Sequence, residues 1–254
     1  MSTAIPSSLI HELIVPNGGA LMLAAIISNL FYGITLLQTY LYYDHYPDDS
    51  LYLKTYVAVL TAFDTAQQTF AIYSAWWYLV INYGNLASTE LVPPGVGEDS
   101  AITVTMGLLV QCFFAHRLWN LSGKKFAIPI VIVTLSTTQF CLGVYYSAQL
   151  QRSSSIQTLA AVSWSATTGI TLAMTADFLI TSAMCYYLRC IRSGMQKSDK
   201  LINLLVLYTV NTGLLTSMNA ICCIVMTTVF SQSFWLSIPF CLVSKCYVNS
   251  VLAT

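Results

Sequence analysis

Three ionisable residues stand inside long apolar stretches of this sequence: Asp64, Asp177 and Lys245. At the centre of a lipid bilayer such a residue costs about 2.5–3.5 kcal/mol on insertion scales, so it is usually paired or functional. Carboxyl and ammonium groups at that depth can form an ion pair, hold a polar ligand or pass a proton. These residues are therefore the first candidates for chemistry.

Two amide side chains extend the candidate set. Asn29 is central in the first apolar stretch, and Asn249 follows Lys245 by one helical turn. Together with Asp64, Asp177 and Lys245, they are predicted to form a polar cluster near the membrane midplane. The cluster is either a binding site for a ligand or ion, or a structural ion pair that fixes the register of the helices, and the sequence leaves both open.

Composition places these residues in a membrane. Hydrophobic residues make up 56% of the 254 residues and charged residues only 8%, whereas a soluble protein carries about 25% charged residues. So few charges could not cover the surface of a soluble domain. Ten Lys and Arg against ten Asp and Glu leave no basic footprint for a nucleic acid. The expected partner is the lipid bilayer, with no nucleic acid.

Seven stretches reach the roughly 20 residues that cross a hydrocarbon core about 30 Å thick. We predict an all-α integral membrane protein whose single domain, residues 1–254, is a bundle of seven transmembrane helices. The spans are predicted at 19–43, 55–81, 101–121, 126–149, 158–190, 202–229 and 234–253. The weakest division is between spans six and seven, where only residues 230–233 intervene. Six spans with one re-entrant segment is the alternative.

Basic residues predict the orientation, because Lys and Arg are in excess on the cytoplasmic side. The N-terminus and connections two, four and six hold only Arg152. Connections one, three and five, with their helix ends, hold Lys54, Arg117, Lys124, Lys125, Arg189, Arg192, Lys197 and Lys200. We therefore expect the N-terminus outside and the C-terminus in the cytoplasm. The protein is expected in the plasma membrane or an endomembrane.

The order of the spans predicts a partner for Lys245. In a bundle wound in sequence order, span seven closes against spans one and two. Asp64 of span two is thus the expected partner, and Asp177 of span five lies further round the ring.

Motifs for specific reactions are absent from the sequence. It contains no H-E-x-x-H, Cys-x-x-Cys, G-x-S-x-G, Walker or G-x-G-x-x-G pattern, which removes the usual carriers of metal, serine and nucleotide chemistry. Retinal proteins attach their chromophore to a lysine in span seven and have a carboxylate counter-ion on a neighbouring helix. Here Cys241, rather than an aspartate, stands four residues before Lys245, and predicted span three holds no carboxylate. We predict no catalytic residue, no metal site and no cofactor.

The chain resembles a fungal, basidiomycete-type family of seven-span membrane proteins known only as a domain of unknown function. The most specific stretch is 176–217, and matches elsewhere extend the resemblance to about residues 18–253. The matching positions are Asp177, Ile180 and Thr181; Arg192, Ser193 and Gly194; Ser198 and Asp199; Gly213 through Ser217; Tyr32, Gly33, Ile34 and Gln38; Asp64 and Thr65; Arg117, Leu118, Trp119, Leu121 and Ser122; and Lys245, Tyr247, Asn249, Ser250 and Leu252. The resemblance implies the fold and leaves the function open.

Topology and the polar cluster favour a receptor-like bundle that senses a small lipophilic ligand. Two alternatives stay open. One is an ion-coupled transporter, in which Asp64, Asp177 and Lys245 relay protons. The other is a membrane enzyme that acts on a lipid or isoprenoid with its carboxyl groups.

Overall fold

The structure, a computed structural model, describes residues 17–83, 85, 88, 91–152, 156–190, 196–229 and 234–252. Within these residues it consists of helices and connections, without strands. The long helices are α1 (Ala20–His45), α2 (Leu51–Trp76), α3 (Val96–Leu121), α4 (Ala127–Arg152), α5 (Ile156–Cys190), α6 (Gln196–Val229) and α7 (Ser237–Leu252). A π-helical turn, Trp77–Ile81, extends α2, and a 3₁₀ turn, Phe234–Leu236, precedes α7.

The helices form a bundle in which neighbours in the chain pack side by side, and α7 closes against α1, α2, α3 and α6. An apolar cluster joins the start of α1 to the ends of α2 and α4 and to Phe234. We call this end of the bundle, where α1, α3, α5 and α7 begin, the upper end. The larger apolar cluster fills the lower half, around Leu60, Leu118 and Met184.

Six of the described helices are long and apolar enough to cross a membrane, with or without adjoining turns. The exception is α2. Its 26 residues give a length of about 39 Å, which is sufficient. Its composition is not apolar enough, because Asp64, Gln67 and Gln68, which are among its buried residues, lower its mean hydropathy.

The division expected to be weakest separates two helices. Helix α6 ends at Val229 and α7 begins at Ser237, with Pro239 buried in the first turn of α7. Proline is tolerated in a first helical turn because its missing N–H has no partner there in any case. The interrupting residues 230–233 lie outside the described residues.

The burial pattern differs from that of a soluble protein, because polar and charged side chains are buried beside the apolar ones. The largest fully buried side chains include Lys245, Gln67, Gln111 and Asp64. Large apolar side chains instead face outwards all round the bundle, for example Leu30, Phe178 and Val229, which are 65–69% exposed. Contiguous apolar surface on this scale needs an apolar environment. Six apolar helices with this outer surface make the chain a membrane-embedded protein.

The start of α3 differs from the prediction. Residues 93–95, Pro-Pro-Gly, form the turn that starts the helix, and Gly95 has a φ of 101°, which glycine adopts without strain. A Cβ on Gly95 would lie 2.7 Å from Ser74 Oγ. The Gly95 N–H donates to Glu98 at 3.1 Å, so the helix begins at Val96 rather than at 101. Asp99, which the sequence placed in a connection, is therefore inside the helix.

Among the described glycines, Gly213 of α6 has the closest neighbour: a Cβ there would lie 2.2 Å from Thr181 Oγ1 and 2.9 Å from Thr181 Cβ of α5. We expect Gly213→Ala to lower stability by about 1–3 kcal/mol, since the two helices must separate to admit the methyl group. Thermal unfolding of the purified protein in detergent measures this. Gly33→Ala is the matched control, because a Cβ there meets no atom within 4 Å. An equal melting temperature for both variants would contradict the close approach.

Candidate functional site

A buried ion pair joins α2 and α7. Lys245 Nζ lies 2.7 Å from Asp64 Oδ1, and both side chains are 0% exposed. The ammonium also donates to Gln67 Oε1 at 2.8 Å and to the Asp64 carbonyl oxygen at 3.3 Å, and it lies 5.2 Å from the centre of the Tyr32 ring. The three N–H groups of the lysine thus have three acceptors. The predicted pairing of Lys245 with Asp64 is confirmed.

Gln67 carries this network to α3. Its Nε2 donates to Asp99 Oδ1 at 2.7 Å, while its Oε1 accepts from Lys245. The thiol of Cys241, one turn before Lys245 on α7, lies 3.9 Å from the other oxygen of Asp99. Asp99, Gln67, Lys245 and Asp64 therefore form one continuous series of contacts, which we call the Asp99–Asp64 chain.

Asp177 belongs to a second network. Its Oδ1 accepts from Gln111 Nε2 of α3 at 3.0 Å, and its Oδ2 accepts from the Tyr247 hydroxyl of α7 at 2.9 Å. Tyr247 and Lys245 are two residues apart, which is about 200° of helical rotation. They leave α7 on nearly opposite sides, and Asp177 therefore does not join the ion pair.

The remaining predicted site residues, the two asparagines, have different positions. Asn249 is half-buried and accepts from the Thr35 hydroxyl at 3.2 Å, so it links α7 to α1. Asn29 is exposed on the outer surface of α1, and its assignment to the cluster is wrong. Each helical residue turns about 100° from the last, and Ser28 is the one that faces inwards, where it donates to Gln68 Oε1 at 2.7 Å.

Asp99 and Gln111 are among the residues of the site that were missed from the sequence. Asp99 was assigned to a connection, although Gly95 followed by Glu98 three residues later is a helix-start signal that would have placed it in the first turn. Gln111 is in predicted span three, which holds no carboxylate, so its uncharged amide had no charged neighbour in the sequence to mark it.

A partly enclosed cavity of about 90 Å³ lies in the upper half of the bundle. Its walls come from α3, α4, α5, α6, the 3₁₀ turn and α7, and they are mostly apolar. A single water molecule needs about 10–15 Å³ and a 150 Å³ cavity holds benzene. The space therefore admits several waters, or a polar headgroup with a few carbon atoms.

The polar part of the cavity wall is unusual in composition. Asp99 supplies a carboxyl group, and Gln139 and Thr103 each carry a buried oxygen without a hydrogen-bond partner, Oε1 and Oγ1. Both side chains are more than nine-tenths buried, at 7% and 3% exposure. Polar groups left unpaired inside a protein cost about 1–3 kcal/mol each, and a ligand or water in the cavity would remove that cost.

Lys245 does not line this cavity. Its ammonium is held by Asp64 and Gln67 on the other side of Asp99. The expectation that span three contains no carboxylate was wrong, because Asp99 is in α3 and is joined to Lys245 through Gln67. That carboxyl nevertheless contacts an amide rather than the lysine, so the arrangement is not the direct pair of a lysine with a counter-ion on α3.

The last third of the chain matches a family of unknown function, DUF6534, over residues 173–254. A DUF6534 domain is found there. It includes Asp177, Lys245 and Tyr247, whereas Asp64, Asp99 and Gln111 lie outside the matched residues. No curated protein and no solved structure matches the chain. The match agrees with the C-terminal part of the resemblance seen in the sequence and names no activity.

The ion pair predicts non-additive effects of substitution. Lys245→Met leaves the buried Asp64 without its cation, and we expect a loss of about 3–5 kcal/mol of stability. Asp64→Asn leaves the ammonium without its carboxylate and is also expected to destabilise. The double variant should lose less than the sum of the two, by about 0.5–3 kcal/mol.

Thermal and denaturant unfolding in detergent measure these differences. Asn29→Ala is the control, since Asn29 is exposed, and it should unfold like the unchanged protein. Strictly additive losses for Lys245 and Asp64 would show that the two side chains are not coupled.

Proposed function

We propose that α2 is a seventh membrane span, so that the N-terminus is outside and the C-terminus cytoplasmic. Two observations support this. Helix α2 packs against α1, α3 and α7, and its buried residues recur every three or four positions along one stripe, Val57, Leu60, Asp64, Gln67, Ala71 and Ser74. The polar part of that stripe is turned inwards, so its low hydropathy is not exposed to lipid.

The positions of basic residues support the orientation. Lys54 is in the first turn of α2 at the lower end, Arg117 lies four residues before the lower end of α3, and Arg189 is in the last turn of α5. Arg152 is at the upper end, in the last turn of α4. An excess of basic residues at the lower end indicates that this end faces the cytoplasm.

Labelling of single introduced cysteines tests the span. Asp48 precedes α2, Tyr83 follows it, and both are exposed. A membrane-impermeant maleimide added outside sealed cells should label Tyr83→Cys but not Asp48→Cys, and permeabilised cells should label both. The unchanged protein, with its eight cysteines, gives the background. Labelling of both positions from the same side would refute a seventh span.

For activity, we propose a receptor-like protein that binds a small lipophilic ligand in the upper cavity. The observation that carries the proposal is the double role of Asp99, which lines the cavity and also begins the Asp99–Asp64 chain. A ligand that contacts Asp99 competes with Gln67 for the same carboxyl group. Gln67 is a direct partner of Lys245, so occupancy of the cavity is communicated to the interface between α2 and α7.

One observation favours the ion-coupled transporter as a second candidate. The Asp99–Asp64 chain links carboxyl groups on α3 and α2 through an amide and an ammonium, and a proton relay uses titratable groups in such a series. The Asp99–Asp64 chain is equally compatible with a receptor, in which its contacts rearrange without net transport of protons. Proton flux into liposomes that contain the purified protein separates the two functions.

The lipid-modifying enzyme gains no support from the carboxyl groups. Asp64 is paired with Lys245, and Asp177 is held by Gln111 and Tyr247. Neither of these two lines the upper cavity, where Asp99 is the one acidic residue among the lining residues described.

Binding of an uncharged probe tests the ligand site. In nanodiscs, 1-octanol should raise the melting temperature of the unchanged protein, because its hydroxyl enters the polar end of the cavity and part of its chain fills the apolar end. Ala220, buried at 6% exposure, lines the cavity, and Ala220→Leu should abolish the shift by filling the space. Ala161→Leu makes the same change on an exposed face and should keep the shift. A shift that survives Ala220→Leu would place the binding elsewhere.

A further inference from the structure

We infer that the upper cavity selects a cationic amphiphile: a ligand with a protonated amine as headgroup and an apolar body. The inference rests on the proposed ligand site and deepens it by naming the chemistry of the ligand. Its basis is the identity of the groups that line the cavity and the balance of charge in the interior of the bundle.

The first observation is the type of polar group in the cavity wall. The groups that can accept a hydrogen bond include the Asp99 carboxyl, the Gln139 amide oxygen and the Thr103 hydroxyl, and the last two oxygens have no partner. The other polar side chains of the wall are hydroxyls and one amide, which both accept and donate: Ser100, Tyr146, Ser165, Thr216, Asn219, Ser237 and Tyr247. No lysine, arginine or histidine is among the described residues that line the cavity. An ammonium group has three hydrogen-bond donors and no acceptor, so it can bond to the acceptors of this wall.

The second observation is the balance of charge. Among the described residues that are buried, three carboxyl groups, Asp64, Asp99 and Asp177, face a single ammonium, Lys245. Lys245 is already paired with Asp64. Asp177 receives two donors, from Gln111 and Tyr247. Asp99 receives one strong donor, from Gln67, and a distant thiol, and it is the carboxyl group beside the cavity.

The third observation is the aromatic part of the wall. Tyr146, Phe234, Phe240 and Tyr247 all line the cavity. Aromatic rings attract cations through the negative faces of their π systems, most strongly where water is excluded. The apolar remainder of the wall accommodates the first carbon atoms of the ligand, and the open side of the cavity lets a longer chain leave it. An anionic headgroup would meet the Asp99 carboxyl group and be repelled.

Three probes that share one chain test the selectivity: n-octylammonium, 1-octanol and octanoate, each titrated into the protein in nanodiscs of uncharged lipid. Octylammonium should bind on the order of tenfold more tightly than octanol, as expected when a hydrogen bond becomes charge-assisted, and octanoate should bind more weakly than octanol. Ala220→Leu should remove the binding of all three, which separates binding in the cavity from partition into lipid.

Asp99→Asn is the decisive variant, because it removes the charge and keeps the shape and an acceptor for Gln67. It should bind octanol as before and lose the preference for octylammonium. Octanol binding with no preference for octylammonium in the unchanged protein would overturn the inference and leave the proposed ligand site intact. A preference that persists in Asp99→Asn would also overturn it, and binding of none of the three probes would refute the ligand site itself.

Discussion

The pairing of Lys245 with Asp64 is the constraint on which the rest of the bundle depends. Two unit charges with no exposure are stable in a membrane only if each finds its partner during assembly, since the desolvation of either one alone costs several kcal/mol. Helix α2 carries three polar side chains on its buried stripe. The ammonium of Lys245 on α7 stabilises two of them, because it donates to Asp64 and Gln67. The pair therefore explains how the helix with the lowest hydropathy occupies a central place between α1, α3 and α7.

Helix α7 organises the polar interior because its side chains leave in several directions. Lys245 faces α2, Tyr247 faces α3 and α5, and Asn249 contacts α1 through Thr35. The helix is short, at 16 residues, yet it contacts partners in both polar networks. Buried hydrogen bonds of this kind are directional, so they fix the rotation of α7 more closely than apolar packing does. The two networks are held at a defined distance from each other by a single rigid element.

The sequence was sufficient for the pairing and insufficient for the composition of the site. The order of the spans predicted the contact between Asp64 and Lys245. Each helix in a ring has only a few neighbours, and Asp64 is the charged residue on a span next to span seven. The sequence could not show whether Ser28 or Asn29 faces the interior. A membrane span is apolar on every side, so its pattern of apolar residues gives little information on how the helix is rotated. Asp99 was lost with the start of α3, where Pro93, Pro94 and Gly95 were interpreted as the middle of a connection rather than as its end. An error of five residues in one boundary thus concealed the carboxyl group beside the cavity.

That carboxyl group connects two otherwise separate parts of the molecule. Gln67 can satisfy Lys245 and Asp99 together because an amide has an acceptor and a donor at opposite ends, and its two contacts of 2.8 and 2.7 Å use both. A cation that displaces the Gln67 amide from Asp99 leaves Nε2 without its acceptor inside a buried environment, so the Gln67 side chain must turn to find another. Its contact with Lys245 then changes as well, and the ammonium relies more heavily on Asp64. Couplings between sites are typically about 1–3 kcal/mol, which is comparable to one buried hydrogen bond. The exchange of a single amide contact is therefore large enough to link the cavity to the packing of α2 against α7.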